Sequence, residues 1–249
     1  MQEHWEHYRC SLSGQPATIL VDLSAMDLAP DRLRPLLVTV RVRLKRPQKN
    51  GLNSPSESAA LQRLEELLVE RLERAEGRMV GRVTHGRARE FNFYVSQPQG
   101  VARLTQAALD EAGYRGSLVS REDPEWQHYR RFLWPERAEM QAIVDRRMVQ
   151  ALRRKGDVLR ASRPVEHWVA FESVESRDAM LLLLDEEWEA HVRTGLEKSH
   201  PVGLCLTRHH QVDLDSVREV TSELTQLSEV LGGRYEAWRT ALVRQAVYA

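Results

Sequence analysis

The chain is poor in the features that hold small secreted scaffolds together. It has two cysteines in 249 residues, Cys10 and Cys205, far apart and without a partner motif. That excludes a disulfide framework and points to a reducing compartment. Thirteen glycines and 10 prolines are too few for a collagen-like or low-complexity chain. The longest uncharged apolar run, Ala179 to Leu184, falls far short of the ~20 residues that cross a bilayer. The opening residues MQEHWEHYR put acids and histidines where a signal peptide needs an apolar core, so a cytoplasmic protein is expected.

Net charge is missing too. Thirty-six basic residues balance 36 acidic ones, so no global field attracts nucleic acid or anionic lipid, and neither is expected as a partner. Arginine outnumbers lysine 32 to 4, which reads as GC-rich coding rather than as an anion site. No phosphate-binding loop, Rossmann glycine fingerprint, nucleophile elbow or zinc-ligand quartet is legible. No cofactor, metal or catalytic residue is therefore expected. His4 and His7, three apart on a strand, point to opposite faces and cannot share a metal. Cys205, inside the apolar stretch Val202–Leu206, reads as a buried inert thiol.

What is present is a strongly patterned globular chain, 42% hydrophobic and 29% charged, longer than the usual domain of about 100–150 residues. Residues 5–11 and 17–23 read as strands joined at Ser13-Gly14-Gln15-Pro16. Residues 38–45 alternate: Val38, Val40, Val42 and Leu44 on one face, Thr39, Arg41, Arg43 and Lys45 on the other. Ser54-Pro55 with Glu57 predicts a capping box, followed by Leu61, Leu64, Leu68 and Leu72 at helical spacing up to Gly77. A hairpin around His85-Gly86, a helix over 101–112 and a short strand over 117–120 complete the first half.

A linker is expected at Glu122-Asp123-Pro124, and charge also turns over there: 18 basic and 15 acidic residues before it, 18 and 21 after it. Trp134-Pro135 predicts a helix to about Lys155. Then follow a strand over 163–171, a helix over 174–188, strands near 189–197 and 201–208, and a helix behind Ser216 and Glu219. A strand over 235–243 is last. The last six elements of the first half, and the second half after its leading helix, each spell β-α-β-β-α-β. The expected fold class is α+β, two ferredoxin-like sandwiches over 1–122 and 123–249, each an antiparallel sheet covered on one face by helices.

Few residues stand out as a site. His167 shares a strand face with Val165, Val169 and Phe171, which predicts a structural histidine bonded within the core. Glu166 and Trp168 take the opposite face, and one aromatic of the last strand, Tyr235 or Trp238, is expected beside them. Tyr235 and Trp238 are three apart and share a face only if a bulge intervenes. Exposed aromatics of this kind anchor protein interfaces, so Trp168, Glu166, Tyr235 and Trp238 are the candidate partner-binding residues. Arg41, Arg43 and Lys45 form the candidate anion-binding face. The adjacent Arg89-Glu90-Phe91-Asn92-Phe93-Tyr94 faintly resembles the base-stacking strand of RNA-recognition motifs but lacks its glycine.

The second half carries a set of co-ordered motifs: Asp123-Pro124-Glu125-Trp126 with Tyr129 and Phe132–Pro135, Gly156-Asp157, Arg163–Trp168 with Phe171, and Gly232–Trp238. Together they resemble the regulator of ribonuclease activity B family over about residues 123–245. Trp5, Tyr8, Gly51-Leu52, Val80–Thr84, Gly86 and Phe91–Tyr94 make the first half similar to domain-of-unknown-function family 695, for which no activity is known. The resemblance implies a binding module rather than an enzyme, with an endoribonuclease of the RNase E type as protein partner and Asp157 in a structural role. The chain departs from the family at Glu166 and Glu236 (each typically Asp) and at Ala237 and Arg239 (typically Gly and Glu). Two function classes follow: a non-enzymatic regulator or adaptor working through protein contacts, or a small-molecule or RNA-binding module, or an unrecognised hydrolase, using a cleft between the halves.

Overall fold

The computed structural model describes residues 3–244 and consists of two compact units, Met1–Glu139 and Met140–Ala249. In the first, β1 (Trp5–Leu12) and β2 (Gln15–Asp22) form a hairpin. Its two loop residues, Ser13 and Gly14, both take positive φ (50° and 75°), the loop twist that matches paired strands. Next come β3 (Leu36–Arg43), α1 (Pro55–Glu73), β4 (Arg78–His85), β5 (Ala88–Val95), α2 (Val101–Ala112) and β6 (Gly116–Glu122).

The sheet runs β1-β2-β4-β5-β3-β6, every pair antiparallel. The last four strands are the ferredoxin-like arrangement, and the hairpin extends it at the β4 edge. The alternation of β3 is realised: Val38, Val40 and Val42 are buried with Phe91 and Phe93 of β5, beneath Leu61, Leu64 and Leu68 of α1 and Val101 and Leu109 of α2. Each such side chain contributes about 1.5–3 kcal/mol on burial.

Two local expectations are corrected in this unit. Ser54 precedes α1 without a side-chain cap bond. Instead of reaching back to it, Glu57 is buried and accepts the backbone N–H groups of Lys45 and Arg46, each at 2.7 Å, and the Tyr114 hydroxyl at 2.9 Å. The helix start thereby clamps the chain leaving β3, and those donors hold the Glu57 carboxyl below its ordinary range against the opposing effect of burial.

The larger correction concerns the boundary. Residues 123–134 are not a linker but part of the first unit, and the division falls at 139/140, not 122/123. His128–Leu133 forms a π-helical turn that lies against the sheet face away from α1 and α2. Trp126 stacks on Tyr94 with ring centroids 4.0 Å apart and donates its indole N–H to the Arg34 carbonyl at 2.9 Å. Tyr129 donates to the Asp22 carbonyl at 2.8 Å, and Tyr8 to the Leu133 carbonyl at 3.0 Å. Trp126, Tyr129 and Leu133 are fully buried. Gly81 makes room for them: a Cβ there would sit 3.2 Å from Leu133 and 2.7 Å from the Leu20 carbonyl. This sheet is therefore covered on part of its second face as well.

The second unit begins within α3 (Arg137–Arg154), shorter at its start than Trp134-Pro135 predicts. It continues as β7 (Arg163–Phe171), α4 (Val174–Leu183), β8 (Glu189–Glu197), β9 (His200–His210), α5 (Leu214–Val230) and β10 (Gly233–Thr240). The order β10-β7-β9-β8, all antiparallel, is again ferredoxin-like. One face carries the core: Val165, Val169, Phe171, Leu204 and Leu206 meet Val149, Met180, Val217, Val220 and Leu224 of the helices. Helix α4 stops at Leu183, short of residue 188. Helix α5 is capped by Asp213, which accepts from the N–H groups of Asp215 and Ser216, and not by Ser216 with Glu219. Among the described residues no helix is long and apolar enough to cross a membrane.

Candidate functional site

The pleat of β7 sorts its side chains as the sequence predicts: His167 inward, Glu166 and Trp168 outward. On the outward face the register lines up Ala237, Trp168, Cys205 and His191, and beside them Arg239, Glu166, Thr207 and Glu189. Trp168 is half-buried. The Arg239 guanidinium lies over its ring at 4.8 Å and bonds the Glu166 carboxylate at 2.8–2.9 Å. Cys205 sits under this cluster at 4% exposure, and burial together with Glu166 pushes its thiol up, which leaves it an inert thiol.

Tyr235 and Trp238 do not join that face. The register slips between Tyr235 and Ala237, and the bulge turns both rings toward the helices, where they are 7% and 4% exposed. The expectation of a last-strand aromatic beside Trp168 is corrected accordingly. Gly233 permits the strand to start against Phe171, whose ring occupies the space a Cβ would need.

Tyr235 instead begins a chain of hydrogen bonds with one consistent direction. Nδ1 of His210 faces the Gln211 carbonyl at 2.7 Å and must donate to it, so Nε2 of neutral His210 accepts. His167 Nε2, 3.0 Å away, is then the donor, and its Nδ1 accepts the Tyr235 hydroxyl proton at 2.8 Å. Burial, with His210 and Arg208 nearby, takes His167 down to about 3, and burial lowers His210 as well, so both rings are neutral at physiological pH. Trp188 closes the edge of His167 in a T-shaped contact at 5.7 Å, itself covered by Arg208 at 4.4 Å.

Two buried ionisable groups brace the same unit. Asp145 of α3 accepts from Trp238 Nε1 at 2.9 Å, Thr221 Oγ1 at 2.7 Å and Gln141 Nε2 at 2.7 Å, and burial raises its carboxyl. Arg163 uses all five donors: two on Asp157 at 2.7 and 2.8 Å, and three on the carbonyls of Val158, Ala161 and Ala241. Asp157 also accepts the Val243 N–H at 2.9 Å. That clasp ties the residues after β10 to the loop before β7.

The basic candidates of the first unit do not converge. Arg41 is paired with Glu90 at 2.8 Å on the open part of the sheet, Arg43 is exposed, and Lys45 lies over the Tyr114 ring at 4.1 Å on the helix side. Nor is there a base-stacking strand: Phe91 and Phe93 are buried beneath the helices and Tyr94 beneath Trp126. Among the described residues no three or more His, Cys, Asp or Glu side chains gather as a metal site.

Sequence reasoning missed His210, Trp188 and Asp145. His210 was within reach, since Leu204, Leu206, Arg208 and His210 alternate in step if β9 runs on past residue 208. Asp145 has no such signal, because its partners lie 76 and 93 residues away.

Fold and geometry define a two-unit α+β protein built on two ferredoxin-like sheets, one of them with an indole on its uncovered side. Residues 3–134 match the family of unknown function DUF695, and the chain belongs to that family. Residues 142–240 match the family described as regulator of ribonuclease activity B. No curated protein matches the chain.

Proposed function

We propose that this protein is a regulator without catalytic chemistry of its own, acting through its C-terminal unit on an RNA-degrading enzyme of the RNase E type. One observation carries the reading: within the segment that matches the ribonuclease regulators, the sheet face away from α3, α4 and α5 presents Trp168 half-exposed among Glu166 and Arg239. A half-wet indole framed by charges is the composition of an interface anchor with a polar rim. Tyr235, His167 and His210 support the same reading, because their polar atoms are engaged with one another and with the Gln211 carbonyl.

The test is cleavage of a structured RNA by a purified RNase E-type endoribonuclease with and without an excess of the full chain. Slower or redirected cleavage is expected, without any cleavage by the chain alone. Unchanged cleavage at every ratio contradicts the proposal.

A further inference from the structure

The family-of-unknown-function unit contains a cleft of about 670 Å³ between α1 and the strands β2, β4 and β5. It lies where the β1–β2 hairpin carries the sheet out past the helix. Pockets for small molecules span roughly 300–1,000 Å³. Asn53, Ser58, Gln62 and Thr18 contribute hydrogen-bonding groups to its wall.

Two arginines line it. Arg82 is neutralised by an ion pair with Glu65 of α1, whose carboxylate lines the cleft as well. Arg89 is different: it is 6% exposed, and its partners are neutral oxygens, Thr84 Oγ1 and Asn53 Oδ1, each at 2.9 Å. Its Nη1 takes no hydrogen-bond partner among the described residues, and no carboxylate pairs with it. Burial, and Arg82 beside it, bring the guanidinium down to about 10 against the opposing pull of the Glu65 and Glu57 carboxylates, so it is still charged at neutral pH. Glu65 is already paired with Arg82, and Glu65 and Glu57 act on Arg89 without bonding it, so the buried guanidinium is only partly compensated, at a cost to folding that an apolar side chain of similar length would avoid. Thr84 and Asn53 hold the planar group in one orientation, and Asn53 and Arg89 both line the cleft.

From these observations we propose that the cleft is a binding site for a small polar metabolite bearing one carboxylate or phosphate group, with Arg89 as the anion's charge partner. The unused donors suit a planar or tetrahedral oxyanion, which guanidinium groups bind in fixed geometry. Arg82, Asn53 and Ser58 surround the remainder of the ligand. This inference stands apart from the partner assigned to the C-terminal unit, and either can fail alone.

Calorimetric titration of the full chain with inorganic phosphate, and separately with acetate, tests it at matched ionic strength. Saturable binding of at least one of the two is expected, with a rise in Tm of about 2–4 °C at saturating anion. Binding of phosphate alone assigns a phosphorylated ligand, and of acetate alone a carboxylate. Arg89→Met removes the donors while keeping the stem, and should weaken binding about tenfold or more. Because that change also strips Thr84 and Asn53 of a partner, Gln62→Trp is the second variant. It fills the cleft from an exposed position on α1 and should also abolish binding. No saturable binding of either anion by the wild-type chain, or undiminished affinity in Gln62→Trp, overturns the proposal.

Discussion

His167 and His210 meet Nε2 to Nε2 at 3.0 Å, a contact that holds only while one of the two nitrogens is bare. A proton on His210 would set N–H against N–H, and a proton on His167 would place a charge in a closed apolar core. Both rings titrate below an unfolded histidine, near 6.5, with His167 at about 3. The unfolded chain therefore binds protons first as pH falls. The stability these rings confer is complete above about pH 6.5 and is lost progressively as pH drops toward 3. His167 alone should remove about 2 kcal/mol between pH 7 and pH 5. Urea unfolding of the C-terminal unit at the two pH values measures it, and His167→Leu should flatten the difference. Equal stability of the wild type at both would refute the neutral pair.

Asp145 supports a sharper comparison of two substitutions. Asn at this position can still accept from Trp238 and Gln141 and can donate to Thr221, while discarding a buried charge that burial disfavours. Asp145→Asn should be within about 1 kcal/mol of the wild type at neutral pH, whereas Asp145→Ala should cost about 3 kcal/mol by stranding the indole N–H and the hydroxyl. Chemical denaturation of both variants separates the cases, and equal losses would mean that the charge itself matters.

Arg163 is 4% exposed and fully engaged by Asp157 and three carbonyls. Lysine has too few donors, in the wrong geometry, to replace it. Arg163→Lys should lower stability by about 2–3 kcal/mol and Arg163→Ala by about 3–5 kcal/mol. Hydrogen exchange at the Val243 amide should rise in both, since its acceptor Asp157 loses its anchor.

The domain boundary can be tested by truncation. A fragment of residues 1–122 lacks Trp126, Tyr129 and Leu133 and leaves Tyr94 and Tyr8 uncovered. It should melt far below a fragment of residues 1–136, or fail to fold. Circular dichroism melts decide it, and equal stability of the two would restore a boundary at 122/123.

How far the sequence could be read depended on whether a residue's environment is set nearby in the chain or far away. The alternation of Val38, Val40 and Val42 and the leucine repeat of α1 place their faces unaided, since strand and helix periods leave them one buried side. From them and the turn residues, both β-α-β-β-α-β orders follow. Residues 123–134 look like a linker because Asp123-Pro124 breaks the pattern and the apolar residues have no period. Their burial depends on Tyr94, Arg34 and Asp22, which lie far back in the chain. The bulge after Tyr235 has no signal of its own, and it puts Tyr235 and Trp238 in the core together, so that neither reaches the open face where one of the two is expected. Glu57 stands at capping-box spacing yet is taken by the Lys45 and Arg46 amides, a tertiary bond overriding a local one. At the candidate site, Glu166, His167 and Trp168 point where strand alternation puts them. The Arg239 cover on Trp168 depends on strand pairing and was not legible.

The most direct measurement of the central claim is the affinity of the full chain for a purified RNase E-type endoribonuclease, wild type against Trp168→Ala. Trp168 touches solvent and contributes little to its own core, so the variant should melt within a few degrees of the wild type. If its indole anchors the partner, the wild type binds and the variant loses about thirtyfold or more in Kd. No binding by the wild type, or equal affinity in the two proteins, contradicts the account.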